Sequence, residues 1–504
     1  MPGTGLWRTK SVEQSIKDTD EPDTKLRKNL GAWDLMVFGV SVVIGAGIFT
    51  LAASTAGDTT GPSVSLSFVI AAIACGLAAV CYAEFASTVP VAGSAYTYSY
   101  ATFGEFIAWI IGWDLILEFA VAAAAVSKGW SSYLQQVLEL VGISGVPTKF
   151  ELGPLQFDWG ALLLIGALTT VLAVGTKLSA RVSLVISAIK VFVVLLVVVV
   201  GLSYINADNY KPFIPPAESG AEDASKLDQS LLSLLLGGET SSFGVFGLLA
   251  GASLVFFAFI GFDVVATTAE ETRNPQRDAP RGIFGSLAIV TVLYVAVAVV
   301  VTGMVNYKQL GTTPDGEKAT LATAFQLNGI TWAAGVITVG ALAGLTTVVM
   351  VMFLGQVRIL FAMSRDGLLP RSLAKTNSEN GTPVRATLIV GGVVALAAAF
   401  FPADKLEEMV NVGTLFAFIL VSAGVIILRR SRPDLPRGFK APLVPLIPIL
   451  AIIACIWLML NLTALTWVRF IVWMIAGVVV YFLYSRNHSR LGQQQRDVAS
   501  GGSV

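Results

Sequence analysis

Val43-Ile44-Gly45-Ala46-Gly47-Ile48-Phe49 and Phe256-Phe257-Ala258-Phe259-Ile260-Gly261-Phe262-Asp263 each sit near the middle of an apolar window long enough to cross a bilayer. Two glycines within three residues weaken a helix by about 1 kcal/mol each relative to alanine. They also let the backbone unwind and let another group approach it closely. The two stretches lie five windows apart. Interrupted helices at matching positions of two halves are the best sequence pointer to a binding site at mid-membrane. The competing reading is that Gly45 and Gly47 only allow close helix packing; the second break at the matching position counts against it.

Around these stretches the composition is that of a membrane protein. Of 504 residues, 55% are hydrophobic and 13% charged. A soluble domain carries about 25% charged residues, so too few remain here to cover a water-facing surface. A hydrocarbon core of about 30 Å needs roughly 20 apolar residues per helix. Twelve such windows occur, at 33–55, 63–87, 104–130, 158–176, 182–205, 243–268, 282–305, 331–356, 384–401, 406–428, 443–463 and 467–484. The expected fold is an all-α membrane protein of twelve transmembrane helices. Its core, 31–430, divides into five-helix halves at about 31–205 and 243–430. An odd number of helices per half inverts one half relative to the other. Two further helices lie within 431–485, and tails at 1–30 and 486–504 are expected on the cytoplasmic side.

Basic residues favour that orientation, since cytoplasmic loops collect Lys and Arg. Roughly 24 fall in the tails and even-numbered connections against about 7 in the odd-numbered ones. The long connection 206–242 is acidic, with Asp208, Glu218, Glu222, Asp223, Asp228 and Glu239. The stretch 88–103, rich in Tyr, is expected to be a short cytoplasmic interfacial helix, and 131–140 its outside counterpart. Glu270, Glu271, Arg273 and Arg277 are expected to form an ion-pair cluster at the inner end of the sixth span.

Cys75, Cys81 and Cys455 all lie in apolar stretches, and the single histidine, His488, is in the polar C-terminal stretch. That supplies neither a disulfide framework nor a metal pattern. No phosphate-binding loop or nucleophile–base pair suggests an enzyme, no cofactor is expected, and no basic patch suggests nucleic acid.

Several charges lie within spans. Lys190 is nine residues beyond Arg181, about 13 Å along a helix at 1.5 Å per residue, too deep to reach the interface by extending its stem. Ionisable residues at such depth face a protein interior and serve a function, which makes Lys190 the candidate proton carrier. The alternative is a lysine paired for structure alone. Glu118 lies mid-span with Asp114 four residues before it, so both share a helix face. Glu118 is a candidate to relay a proton or to balance a substrate's ammonium; the bland alternative is a protonated carboxyl bonded to a neighbouring helix. Lys128 also lies within a span.

Broken helices expose peptide groups. Freed N–H groups at a helix N-terminus suit a carboxylate, and freed carbonyls suit an ammonium. A free amino acid carries both on one carbon, so two facing breaks form a receptor for its invariant part.

Several motifs now read together: Gly45-Ala46-Gly47-Ile48-Phe49; Tyr82-Ala83-Glu84-Phe85 with Pro90-Val91-Ala92-Gly93-Ser94-Ala95-Tyr96-Thr97-Tyr98; Phe259-Ile260-Gly261-Phe262-Asp263 with Glu270-Glu271 and Asn274-Pro275; and Phe361-Ala362-Met363-Ser364-Arg365-Asp366-Gly367. In this order and spacing, over about residues 30–430, the chain resembles the amino acid–polyamine–organocation superfamily, and within it the cationic amino acid transporter family and its bacterial permeases. The resemblance implies a LeuT-type fold working by alternating access. It places the substrate carboxylate on the Ala46, Gly47 and Ile48 backbone and the ammonium on carbonyls around Val43, Phe257 and Ile260. The surrounding Ile44, Gly45, Ala258 and Phe259 complete the two stretches. The family's span-five lysine falls on Lys190, where an amine replaces sodium, and its span-three glutamate falls on Glu118. Leu345 or Thr346 would line the side-chain pocket from span eight. The Ser or Thr usual between the first two glycines is Ala46 here, so one hydroxyl donor is missing. Twelve spans fit the bacterial members better than the fourteen-span animal ones.

The function expected is proton-coupled amino acid symport by a multi-pass protein of the cytoplasmic membrane. Its partners are then the amino acid, the proton and the bilayer, with a homodimer or small helper subunit compatible. An exchanger of the same fold is the rival; a membrane amino acid sensor is a remote one, with no output domain to carry a signal. Cationic and neutral substrates both stay open.

Overall fold

The computed structural model describes residues 8–9, 30–89, 94–143, 146–152, 155–175, 180–219, 226–236, 241–312, 318–376 and 382–499. Most of the tail 1–30 therefore lies outside the described residues. So do residues 90–93, Glu222, Asp223 and Glu239, and the side chain of Glu270.

The chain is built of helices. In order they are α1 (Ala32–Val43), α2 (Val64–Thr88), α3 (Ser94–Thr102), α4 (Glu105–Leu140), α5 (Trp159–Val174), α6 (Ala180–Gly201), α7 (Gly244–Val255), α8 (Pro275–Met304), α9 (Leu321–Leu327), α10 (Thr331–Arg365), α11 (Val384–Phe400), α12 (Ala403–Ser431), α13 (Leu446–Leu460), α14 (Ala464–Val480) and α15 (Arg490–Ala499). Between α1 and α2 runs a helical segment of α- and π-turns from Gly47 to Thr60. Two small antiparallel pairs, Lys149–Leu152 with Leu155–Asp158 and Glu218–Ser219 with Ser241–Ser242, lie in connections.

Local chemistry sets several ends. Asp34 accepts from the Gly31 N–H at 2.9 Å at the start of α1. Asp158 caps α5 by accepting from the Ala161 N–H at 2.9 Å, and Gly175 ends it at φ +83°, the left-handed stop a glycine allows. Pro275 opens α8, where its missing N–H costs no intrahelical bond.

Among the described residues eight helical runs are long and apolar enough to cross a membrane. Shorter apolar helices at Ala32–Val43, Trp159–Ala173, Val384–Phe400 and Leu446–Leu460 occupy the remaining expected windows. One of the eight runs from Gly47 to Thr88, 42 residues, or about 63 Å of helix. That is twice the hydrocarbon core, and Gly61 at φ +67° breaks it. The protein is a multi-pass membrane protein on these lengths.

The expectation for 131–140 needs correction. These residues continue α4, a helix of 36 residues, because nothing after Gly129 interrupts it and Ser131 bonds Asp158 at 2.6 Å. Within 88–103 the chain forms the short helix α3, Ser94–Thr102. Of the residues expected to cluster at the end of the sixth span, Arg277 pairs with its neighbour Asp278 at 2.9 Å, and the Glu270 side chain lies outside the described residues. Lys128 lies 3.6 Å from Asp158, both buried.

Packing divides the helices into two groups. α1, α2, α7 and α8 pack on one another, and α4 packs along α10 while α5 packs along α11. α12 lies against α4 and α2, and α6 against α10 and α8. The core between these groups holds both broken stretches.

Candidate functional site

α1 ends at Val43 because Ile44 turns extended, at ψ 98°, and the chain re-enters a helix at Gly47. The first turn of such a restarted helix leaves N–H groups of Ala46, Gly47 and Ile48 without intrahelical acceptors. α7 tightens into a 3-10 turn over Phe256–Phe259, and Ile260 then runs extended at ψ 132°. Gly261 sits at φ +117°, a conformation that favours glycine, and a helical turn resumes at Val264–Thr267. Asp263 Oδ1 accepts from the Gly261 N–H at 3.2 Å.

Each break makes room for the other. A Cβ on Gly47 would lie 2.2 Å from Ala258 Cα and 2.8 Å from its N, and one on Gly261 would lie 2.9 Å from Val42 Cγ1. The first unwound backbone thus seats against Ala258 only because Gly47 carries no side chain there.

Between them is a cavity of about 20 Å³, room for roughly one water. Its walls come from Val42, Val43, Gly45, Ala46 and Gly47 of the first break, Phe257 and Ile260 of the second, Ala122 and Val126 of α4, and Val348 and Met352 of α10. Every side chain on that wall is apolar. An amino acid enters only if the walls part.

Of the residues singled out from sequence, Val43, Gly45, Ala46, Gly47, Phe257 and Ile260 border this cavity. Ile44, Ile48, Ala258 and Phe259 are buried beside it; Ala258 meets Gly47, and Phe259 packs on Phe68 and Tyr294. Leu345 is buried but off the wall. Thr346 is also off it, accepting from Trp130 Nε1 at 2.9 Å. The α10 wall is Val348 and Met352 instead, about one turn further on.

Lys190 is buried, with 1% of its surface exposed. Its Nζ donates to Ser41 O at 2.8 Å, two residues before Val43, and its stem packs on Gly344 of α10, where a Cβ would lie 2.9 Å from Lys190 Cγ. The hydroxyls of Ser41 and Ser187 are 2.5 Å apart beside it. Glu118 and Asp114 are also buried. They face α12 rather than the cavity: a Cβ on Gly413 would lie 2.9 Å from Asp114 Oδ1 and 3.8 Å from Glu118 Cβ.

Three hydroxyls hold the first break in shape. Tyr294 Oη donates to Val43 O at 2.7 Å, Tyr133 Oη to Phe49 O at 2.7 Å, and Thr50 Oγ1 to Ala46 O at 2.7 Å. Sequence reasoning missed these. For Tyr294 the available signal was a tyrosine inside an apolar span, whose hydroxyl needs a partner when buried.

The chain matches a family model described as amino acid permease over residues 30–483. It is 44% identical over 495 residues to the branched-chain amino acid permease BcaP of Bacillus subtilis, covering 97% of this chain and 99% of that one. It is 39% identical to the methylthioribose transporter of the same organism, covering 97% and 100%. The vacuolar cationic amino acid transporter 4 of Arabidopsis thaliana is 36% identical, covering 85% of this chain and 68% of the relative.

Proposed function

The chain belongs to the amino acid permease family, and on that premise we propose that it carries neutral aliphatic amino acids across the cytoplasmic membrane, driven by protons. The observation that carries this reading is the cavity wall. It combines the peptide groups of two broken helices with apolar side chains and no charge. N–H groups at Ala46, Gly47 and Ile48 take the carboxylate, and carbonyls around Val43, Phe257 and Ile260 take the ammonium. A lysine or arginine side chain would find no counter-ion on this wall. A branched aliphatic one finds Ala122, Val126, Val348 and Met352. The branched-chain permease at 44% identity agrees with that substrate class.

Twelve spans in a LeuT-type arrangement suit the packing. With spans numbered by the twelve windows, the first two (α1 and α2) group with the sixth and seventh (α7 and α8). The third and fourth (α4 and α5) pack on the eighth and ninth (α10 and α11). These are matching positions of two five-helix halves. Alternating access would then be movement of one group against the other around the breaks, with both termini cytoplasmic as the basic residues favour.

Lys190 links the proton to that movement. A charged amine donates a stronger hydrogen bond to Ser41 O than a neutral one, so its proton decides how firmly α1 is held next to its break. Glu118 provides a second group along the route.

Purified protein in liposomes, offered radiolabelled leucine, isoleucine, valine, lysine and arginine with and without an inward proton gradient, tests the reading. Leucine accumulation that requires the gradient is expected. Exchange of internal for external leucine unaffected by the gradient would point to an exchanger. The methylthioribose relative favours a second substrate reading, a thioether sugar seated among the same apolar side chains. Competition of methylthioribose against leucine separates the two.

A further inference from the structure

Asp114, Glu118, Ala122 and Val126 recur at every fourth residue of α4. That spacing puts them on one ridge, about 6 Å apart. Ala122 and Val126 line the cavity. Asp114 and Glu118 continue the ridge towards the start of α4, away from the cavity and into the contact with α12.

There the hydrogen bonding does not close. Asp114 is fully buried, and among the described residues neither of its oxygens has a partner; Glu118 Oε2 has none either. Thr414, fully buried on α12, stands beside Glu118 without completing a bond from its hydroxyl. Asn411, one turn away, has spent its amide on Ser253 O at 2.8 Å and adds a further unpartnered acceptor, Oδ1. Gly413 lets α12 close over the pair. Unpartnered acceptors outnumber donors at these buried atoms, which is costly. A proton on either carboxyl converts an acceptor into a donor and answers the shortage.

We infer that Asp114 is a third proton-holding group, in series with Glu118 and on the cytoplasmic side of the cavity. The inference rests on the proton-coupled reading above and extends it by one residue. In the step it adds, the O–H bond of protonated Glu118 breaks as an O–H bond forms on the Asp114 carboxylate. Glu118 is left as the carboxylate and Asp114 as the neutral acid, so net charge is unchanged. The Asp114 O–H bond then breaks as a water at the cytoplasmic end of α4 takes the proton, and Asp114 returns to the carboxylate. The other titratable groups around the pair are Asp263 on the sixth span, Tyr82 on α2, and Tyr96 on α3, whose ring touches Gly112. Lys190 packs elsewhere, against Ser41 and Gly344.

The test compares wild type with Asp114→Asn in liposomes carrying an internal pH dye. It reads three quantities: leucine accumulation under an inward proton gradient, proton entry per leucine, and gradient-free leucine counterflow. Asp114 is off the cavity wall, so counterflow should stay within about twofold of wild type. Accumulation and proton entry per leucine should fall at least tenfold. Proton entry per leucine equal to wild type overturns the proposal. Should counterflow fail too, Asp114→Glu decides. A restored counterflow whose pH profile is displaced from wild type supports the assignment; an inactive protein, or a profile that coincides with wild type, overturns it. A wild type that accumulates nothing under the gradient refutes the proton-coupled premise, and the proposal falls with it.

Discussion

Gly47→Ala is the smallest change that strikes the site directly. The added methyl carbon would fall 2.2 Å from Ala258 Cα, 2.4 Å from its Cβ and 2.8 Å from its N. Carbon atoms rest about 3.5–4.0 Å apart, so the two breaks must separate by at least about 1.3 Å. No rotamer relieves this, because two of the three atoms struck are backbone. Overpacking of this kind costs about 1–3 kcal/mol, or a factor of roughly 5–150 in any equilibrium that needs the breaks in contact. Gly45→Ala is the control. Its Cβ would meet the two methyls of Val348 at 3.3 and 3.4 Å, a side chain that can shift, and Val43 O at an ordinary 3.7 Å. The assay is initial leucine uptake by purified protein in liposomes, with reconstituted amounts matched. Gly47→Ala should lose at least about fivefold in uptake, and Gly45→Ala should stay within about threefold of wild type. Equal uptake by Gly47→Ala and wild type, with both proteins folded, would refute the claim that close contact of the two broken segments forms the site.

Other perturbations reach the supports. Lys190→Ala removes the amine on Ser41 O and should abolish gradient-driven accumulation while sparing counterflow; accumulation at the wild-type level removes Lys190 from the coupling. Tyr294→Phe withdraws the hydroxyl from the buried Val43 carbonyl, 2.7 Å away. Loss of a buried partner costs about 1–3 kcal/mol, so a raised KM for leucine is expected, and an unchanged KM shows that carbonyl to be satisfied otherwise. Glu84, buried in α2, receives Arg429 through bonds of 2.9 and 2.6 Å and lies 3.3 Å from Arg437. Glu84→Ala strands those cations at a cost of about 3–5 kcal/mol, and a clear drop in thermal midpoint in detergent is expected; an unchanged midpoint means water already screens the cluster.

Both break positions were readable because glycine is the residue that permits a left-handed turn or a backbone crossing, and Gly47 and Gly261 perform those two tasks. Lys190 was readable by depth: nine residues beyond Arg181, its stem could not reach water, and it is buried. Glu118 shows the limit. Its depth was legible, but its direction was not. A helix that is apolar nearly all round has no solvated face to set its rotation. Its ridge towards α12 therefore emerged only when Gly413 was seen to close on it. For the same reason the sequence singled out Leu345 and Thr346 on α10 and not Val348 and Met352, about one turn further on, which line the cavity. Apolar wall residues also carry no chemical signature that separates them from ordinary packing.

The chain's own chemistry was enough to establish a bilayer-embedded helical protein, the number of its apolar windows, the two places where helices must break, and the burial of one amine. These follow from composition and from backbone freedom, which belong to each residue separately. Tertiary structure alone decided which faces meet: that Gly47 seats on Ala258, that every side chain on the cavity wall is apolar, that Tyr294 and Tyr133 bond the Val43 and Phe49 carbonyls, and that Asp114 and Glu118 look away from the cavity. Those are relations between distant segments, set by how helices of similar hydrophobicity rotate to pack, and nothing local in the sequence encodes that rotation.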